Sequence, residues 1–315
     1  MKRIVTAVAV GATLAAVAAW AGPLQKHHVA AEAKWVIHLD ADAFKATQVG
    51  AYVGGELDQK LAKLKGDLKA QFDIDFDWRR ITALTAYGTG FQPGEQGKGV
   101  LLVYTDMDVQ KLLEAVIDKA QGGNADAGDV KRLEPGPLPL YLIKNDFYVA
   151  PQPGRPVLVS KFHQEILKAR PIFAGQGTTL AASDNFGDLL SAPGASFFVA
   201  AAQGFNELPH IPPKAEVLKQ AEGLRLIVSE NAGKVGFNVM LKTKTAEVSQ
   251  KIQQVLQGLI ALGALTQSDN QDLQQLIQAV SVTAGEKSVT VNVQLPVEKV
   301  LAEIKKKEAQ KKGQE

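Results

Sequence analysis

The chain has 315 residues, 46% of them hydrophobic and 22% charged, an ordinary globular composition with room for about one to three domains. Lys and Arg number 35 against 33 Asp and Glu, but the excess sits at the ends: Lys2 and Arg3 at the start and five lysines in the last 11 residues leave residues 22–304 with 28 basic and 31 acidic side chains. That balance excludes a body-wide field favouring nucleic acid, and the absence of cysteine excludes disulfides and lipoprotein acylation.

In chain order, "MKR" is a positive n-region and Ile4 to Ala19 an apolar run. Ala19-Trp20-Ala21 follows as an A-x-A cleavage pattern. Residues 1–21 are expected to be a signal peptide removed after Ala21, which places the protein in the periplasm or outside the cell. The run is 16 residues long, below the roughly 20 that a spanning helix needs, so no membrane span is expected after cleavage; a retained anchor is the alternative.

Residues 22–33 read as a polar spacer. Lys34 to Leu39 is a buried strand, and Val53, Leu57, Leu61, Leu64 and Leu68 recur at helical spacing over Val49 to Phe72. Arg80 to Gly88 alternates like a strand, "FQPGEQGKG" is a turn, and "VLLVYT" is a second strand. Asp108 is placed to cap a helix reaching about Ala120. Short strands follow at Lys131 to Leu133, Leu140 to Ile143, Phe147 to Ala150 and Val157 to Ser160. Lys144-Asn145-Asp146 forms a turn between two of them, and "FHQEILKA" is a helix ending near Ala169.

The second half repeats this order. "ASFFVAAA" is a strand, "KAEVLKQA" a helix, and "GLRLIVSE" with "KVGFNVMLK" a hairpin turning at Asn231 to Gly233. Thr245 starts a long helix whose apolar face is read as Ile252, Val255, Leu256, Leu259 and Ile260; Leu273, Leu276 and Ile277 mark another helix. "AVSVTA" and "SVTVNVQL" form a last hairpin, and Pro296 suits the first turn of a closing helix.

Hairpins join most strands, so the expected class is α+β with largely antiparallel sheets. The chain reads as two degenerate copies of a strand–helix–hairpin–helix–hairpin–helix unit, at 34–170 and 195–304. A connector at 171–194 joins them and a Lys-rich tail at 305–315 follows.

Asp40 and Asp42 in "LDADAF" resemble the opening of Y-family DNA polymerases and the D-x-D of haloacid-dehalogenase-like phosphatases, where paired carboxylates hold Mg²⁺. The supporting acidic cluster and lysine of those enzymes are missing, and the likeness covers about ten residues. Asp106 and Asp108 form a second D-x-D between a strand and a helix. The matching junction of the second half is Thr243-Lys244-Thr245, and Thr replaces Asp as an N-cap but not as a metal ligand. The pairs are therefore read as caps and turns. "FDIDFDW" lacks the Gly and Glu of a calcium loop and reads as a connector. His27, His28, His38, His163 and His210 show no metal-ligand spacing. "PGPLPLY" and "PQPGRP" read as strand-flanking loops rather than polyproline ligands.

No catalytic, cofactor-binding or metal residue is assigned, and no cofactor is expected. "FDIDFDWRRITALTAYGTG", "GKGVLLVYTDMDVQKLLEAV" and the stretch from Ala221 to Leu265 resemble a group of secreted two-repeat bacterial proteins of unknown function, of the planctomycete, verrucomicrobia and acidobacteria type. The resemblance implies export and a two-repeat body and carries over no site. The expected function is a non-enzymatic binding or interaction protein of the cell envelope, with an unknown protein or ligand partner held between the repeats and no nucleic acid. The alternative is an envelope hydrolase with an unrecognised active site.

Overall fold

A computed structural model describes residues 22–91, 98–121, 130–135, 138–152, 154–191, 196–205, 221–266 and 271–312. The expected signal peptide at 1–21, His210 and the expected helix "KAEVLKQA" up to Gln220 lie outside them. The protein is mixed helix and antiparallel sheet, as the hairpin-rich sequence pattern requires.

The elements of the first half are β1 (Trp35–Asp40), α1 (Ala41–Lys45), α2 (Gln48–Phe72), β2 (Ile81–Gly88), β3 (Val100–Thr105), α3 (Val109–Gln121), β4 (Val130–Glu134), β5 (Leu140–Ile143), β6 (Phe147–Ala150), β7 (Val157–Ser160) and α4 (His163–Phe173). Those of the second are β8 (Ser196–Gln203), β9 (Ala221–Asn231), β10 (Lys234–Thr243), α5 (Ala246–Thr266), α6 (Gln271–Gln278), β11 (Val280–Ala284), β12 (Ser288–Pro296) and α7 (Val297–Lys312). Pro296 closes β12 rather than opening the helix, which starts one residue later.

Among the described residues twelve strands form one sheet in the order β11-β12-β10-β9-β8-β1-β2-β3-β7-β6-β5-β4. Its centre is the antiparallel pair β1–β8, in register from Trp35 opposite Ala202 to Leu39 opposite Phe198. From this pair one arm runs outward through β2, β3, β7 and β6, and the other through β9, β10, β12 and β11. The first arm adds the pair β5–β4 at its edge. The β5–β6 and β9–β10 turns carry positive φ at Lys144 and Asn145 and at Ala232 and Gly233, the backbone that lets a two-residue turn follow the twist of its strands.

Strand alternation, clearest in β3, sends side chains to two faces. One face buries Val36, Tyr87, Leu102, Tyr104, Leu158, Val199, Ile227 and Met240 against Ile166 and Phe173 of α4. Two segments read from sequence as linkers complete this layer. Val29, Ala30 and Ala33 of the expected spacer are buried, as are Leu180, Phe186, Leu189 and Leu190 of the expected connector. An isolated bridge joins Ala30 to Thr179. Neither segment is long or periodic enough to announce itself; each gains its place only because the sheet offers an uncovered apolar face. Helix α4 also runs beyond Ala169 to Phe173, passing through Pro171, because Ile172 and Phe173 are needed in this core.

The other face carries three smaller clusters. Leu113 and Ile117 of α3 pack on Tyr141, Val149 and Val157, Ile252 of α5 on Leu241 and Val289, and Val49 of α2 and Val297 of α7 on Val235. The first part of the basic tail is docked rather than frayed: Tyr52 of α2 donates to Glu308 at 2.9 Å, and Lys305 lies over the Tyr52 ring.

The buried seam of α5 differs from the expected one. Ile252 is buried, but Val255 and Leu259 are 59% and 60% exposed. From Ile252 to Thr266 the helix has no charged residue, so its periodicity could not mark which apolar side meets the sheet.

Candidate functional site

The acidic junctions resolve into caps. Asp40 accepts from the Ala43 amide at 2.9 Å and opens α1, while Asp42 pairs with Lys45 at 2.6 Å. Asp108 accepts from the Lys111 amide at 2.9 Å at the start of α3, and Asp106 pairs with Arg80 at 2.7 Å. In the second half Thr245 accepts from the Val248 amide at 3.3 Å. In "FDIDFDW", Asp73 ends α2 in the left-handed conformation and Asp77 caps the short turn at Trp78–Arg80. Among the described residues no three His, Asp or Glu side chains are gathered as metal ligands, and no helix is long and apolar enough to cross a membrane.

A cavity of about 970 Å³ opens at the start of α3, between the end of β3 and the loop from Pro151 to Arg155. Sequence places it there: Thr105 accepts from the Met107 amide and turns the chain away from the sheet, and Gly154, with positive φ, turns the opposite loop. Met107, Val109, Pro151 and Val157 supply apolar walls. Asp106, Asp108, Lys111, Glu114 and Arg155 add charge to the lining. Glu114 is held by the Tyr141 hydroxyl and the Arg132 guanidinium.

Gln152 stands out in this wall. Its side chain is only 7% exposed, and its amide nitrogen has no hydrogen-bond partner. A buried unpaired amide costs about 1–3 kcal/mol, so a free-standing fold gains nothing by keeping it. Sequence reading passed over Gln152 and Arg155 because "PQPGRP" looks like proline punctuation; the one available signal was two side chains with hydrogen-bonding ends inside a turn otherwise built of Pro and Gly.

A second cavity of about 540 Å³ lies on the α4 face, lined by His27, His28, Tyr104, Arg155, Phe173 and neighbours. Gly154 and Arg155 border both spaces. His28 stacks between Tyr104 and Phe173, and its Nδ1 is 3.0 Å from the Tyr104 hydroxyl. Burial, then the neighbouring His27 and Arg155 charges, pull the His28 pKa down to about 4. Burial raises that of Tyr104. Behind them, His38 is buried in β1 with Nδ1 2.9 Å from Thr85 Oγ1, and burial lowers its pKa as well. His163 lies apart, stacked on Tyr148. The histidines thus do not converge on one centre, and neither cavity lies between the two arms.

No known family model matches the chain, and no characterised protein sequence does. Among solved structures the chain resembles TP0453 in crystal form I, with TM-score 0.47 and 9% identity over 90% of this chain and 97% of that one. Crystal form III gives 0.42 and 8% over 90% and 98%, and crystal form IV gives 0.46 and 9% over 91% and 98%.

Proposed function

We propose that the protein is an exported, non-enzymatic binding protein of the cell envelope whose ligand is a small, largely apolar molecule held in the cavity at the start of α3. The observation that carries this reading is the space itself, about 970 Å³ with apolar walls from Met107, Val109, Pro151 and Val157 and charged side chains in its lining. Ligand sites commonly combine apolar walls with a few placed polar groups. The ligand then brings apolar surface for Met107, Val109 and Val157 and polar ends for Asp106, Lys111 and Arg155.

The same reading treats the two arms as diverged copies of one unit. Their support is the shared outward order of strands, with the last strand of each arm, β7 in one and β12 in the other, returning beside the third. Export rests on the first 21 residues, and N-terminal sequencing of envelope material is expected to begin at Gly22.

Native mass spectrometry of protein purified from its own envelope tests the ligand. One bound small molecule per chain is expected, lost in Met107→Trp, which fills the cavity. Bare protein that also fails to bind an apolar fluorescent dye, or dye binding indifferent to Met107→Trp, removes the proposal.

A further inference from the structure

The smaller cavity gathers basic groups without an acid. His27, His28 and Arg155 line it, and no carboxylate does among the described residues. The two imidazole rings are 4.1 Å apart, an arrangement that repels as soon as either is charged. Ile172 and Phe173 from the end of α4 supply an apolar part of the wall, and Gln25, Tyr104, Gly154 and Gly175 complete the lining. The last carbonyls of α4 are already taken by the amides of Ala174, Gly175 and Gln176, so they are not free to recruit a cation.

The Tyr104 hydroxyl sets the orientation of His28, lying 3.0 Å from its Nδ1, and in the strand beside it Thr85 Oγ1 meets His38 Nδ1. With Tyr104 donating to Nδ1, the proton of the neutral His28 ring resides on Nε2. That leaves Nε2–H as a donor, while Arg155 supplies a planar cation that matches a carboxylate.

We propose that this cavity binds a small organic carboxylate, its anionic group held by Arg155 and His28 and its apolar body resting on Phe173 and Ile172. The aromatic and aliphatic half of the wall selects an organic anion over inorganic phosphate. The charged or chargeable groups facing His28 are His27 and Arg155, both disfavouring its protonation, with Tyr104 neutral beside it. An anion between them reverses that repulsion, so binding and protonation of His28 favour each other. This site shares Gly154 and Arg155 with the α3 cavity, so the His28 titration, at a residue that lines only the smaller space, is the readout that separates the two.

The experiment is calorimetric titration of the purified protein with benzoate, paired with NMR titration of the His28 ring. One site is expected, with affinity rising about two- to tenfold for each pH unit from pH 7 to 5. At saturation the His28 titration moves upward from its free position near 4. Arg155→Gln, at an exposed position, is expected to lower affinity at least tenfold with the melting temperature unchanged, and His28→Gln to abolish the pH dependence. Benzamide binding as tightly as benzoate, phosphate binding where benzoate does not, an unmoved His28 titration, or full affinity in Arg155→Gln would each overturn the assignment.

Discussion

The two arms of the sheet begin alike and end differently. In each, the third strand runs into a capped helix: β3 into α3 through Asp108, and β10 into α5 through Thr245. In the second arm that junction is closed. Thr243 and Ser249 are fully buried and hydrogen-bond each other at 2.7 Å, and Ile252, Leu241, Val289 and Phe205 fill the space beneath. In the first arm the corresponding junction, Thr105 to Asp108, opens onto the larger cavity. There α3 has 13 residues against 21 in α5, and the Pro151–Arg155 loop stands opposite. The strand order alone therefore makes no site. A pocket appears in the arm whose junction lacks the buried hydroxyl pair, although Leu113 and Ile117 of α3 still pack on the sheet beside it.

The two arms share a core and are expected to unfold together. The largest core cluster draws on strands of both, from Leu102 and Leu158 to Ile227 and Met240. Leu158→Ala is expected to cost about 2–5 kcal/mol and to lower the urea midpoint of the whole molecule in one transition. Hydrogen exchange showing β9 to β12 unmoved would make the arms independent bodies.

Acid should weaken the first arm and the centre before the second. The unfolded His28 titrates near 6.5 and the folded one near 4, so its contribution is fully present above about pH 6.5 and is lost as pH falls towards 4. Because the ring is only half-buried, the effect is discounted to roughly 1–2 kcal/mol. His38, also lowered by burial, acts with the same sign. Melting temperatures across pH 7 to 4 check this, with a flatter profile expected in His28→Gln.

Gln152→Leu removes a buried unpaired amide and is expected to stabilise the ligand-free protein by about 1 kcal/mol, whereas Ser249→Ala in the closed arm breaks a buried hydroxyl pair and destabilises it by a similar amount. Denaturant midpoints of the two variants read the sign directly. Asp108→Ala and Thr245→Ala are each expected to cost roughly 0.5–1 kcal/mol through a lost cap; unequal losses would show that the junctions differ in more than their fill. The smallest effect is expected at Leu259→Lys, within about 0.5 kcal/mol in a thermal melt, because that side chain faces solvent.

Much of the element list was legible because it rests on local chemistry. Alternation in "VLLVYT" reports which groups must leave water together, the apolar spacing through α2 marks a helix although Leu64 stays 45% exposed, and Asp108 and Thr245 report where orphan amides need acceptors. The prevalence of hairpins was enough to make the sheet antiparallel. What lay beyond reach depends on contacts distant in the chain. Residues 22–33 look like a spacer until the face of β1 to β3 stands uncovered beside them. The uncharged stretch of α5 does not say which side it buries until β10 and β12 arrive.

The candidate sites show the same division. Asp40 and Asp108 were readable as caps because their partners lie three residues away. Gln152 and Arg155 were not, because the burial of one and the charged neighbours of the other come from strands and segments up to some 130 residues distant in sequence. Sequence by itself determined the strands, the helices, their caps and the antiparallel class, all set by hydrogen bonding and hydrophobic spacing between near neighbours. Only the tertiary structure decided that β1 and β8 join the arms into one sheet, and that space remains at α3 but not at α5. Pairing and packing between remote segments depend on volume and shape, which no local pattern encodes.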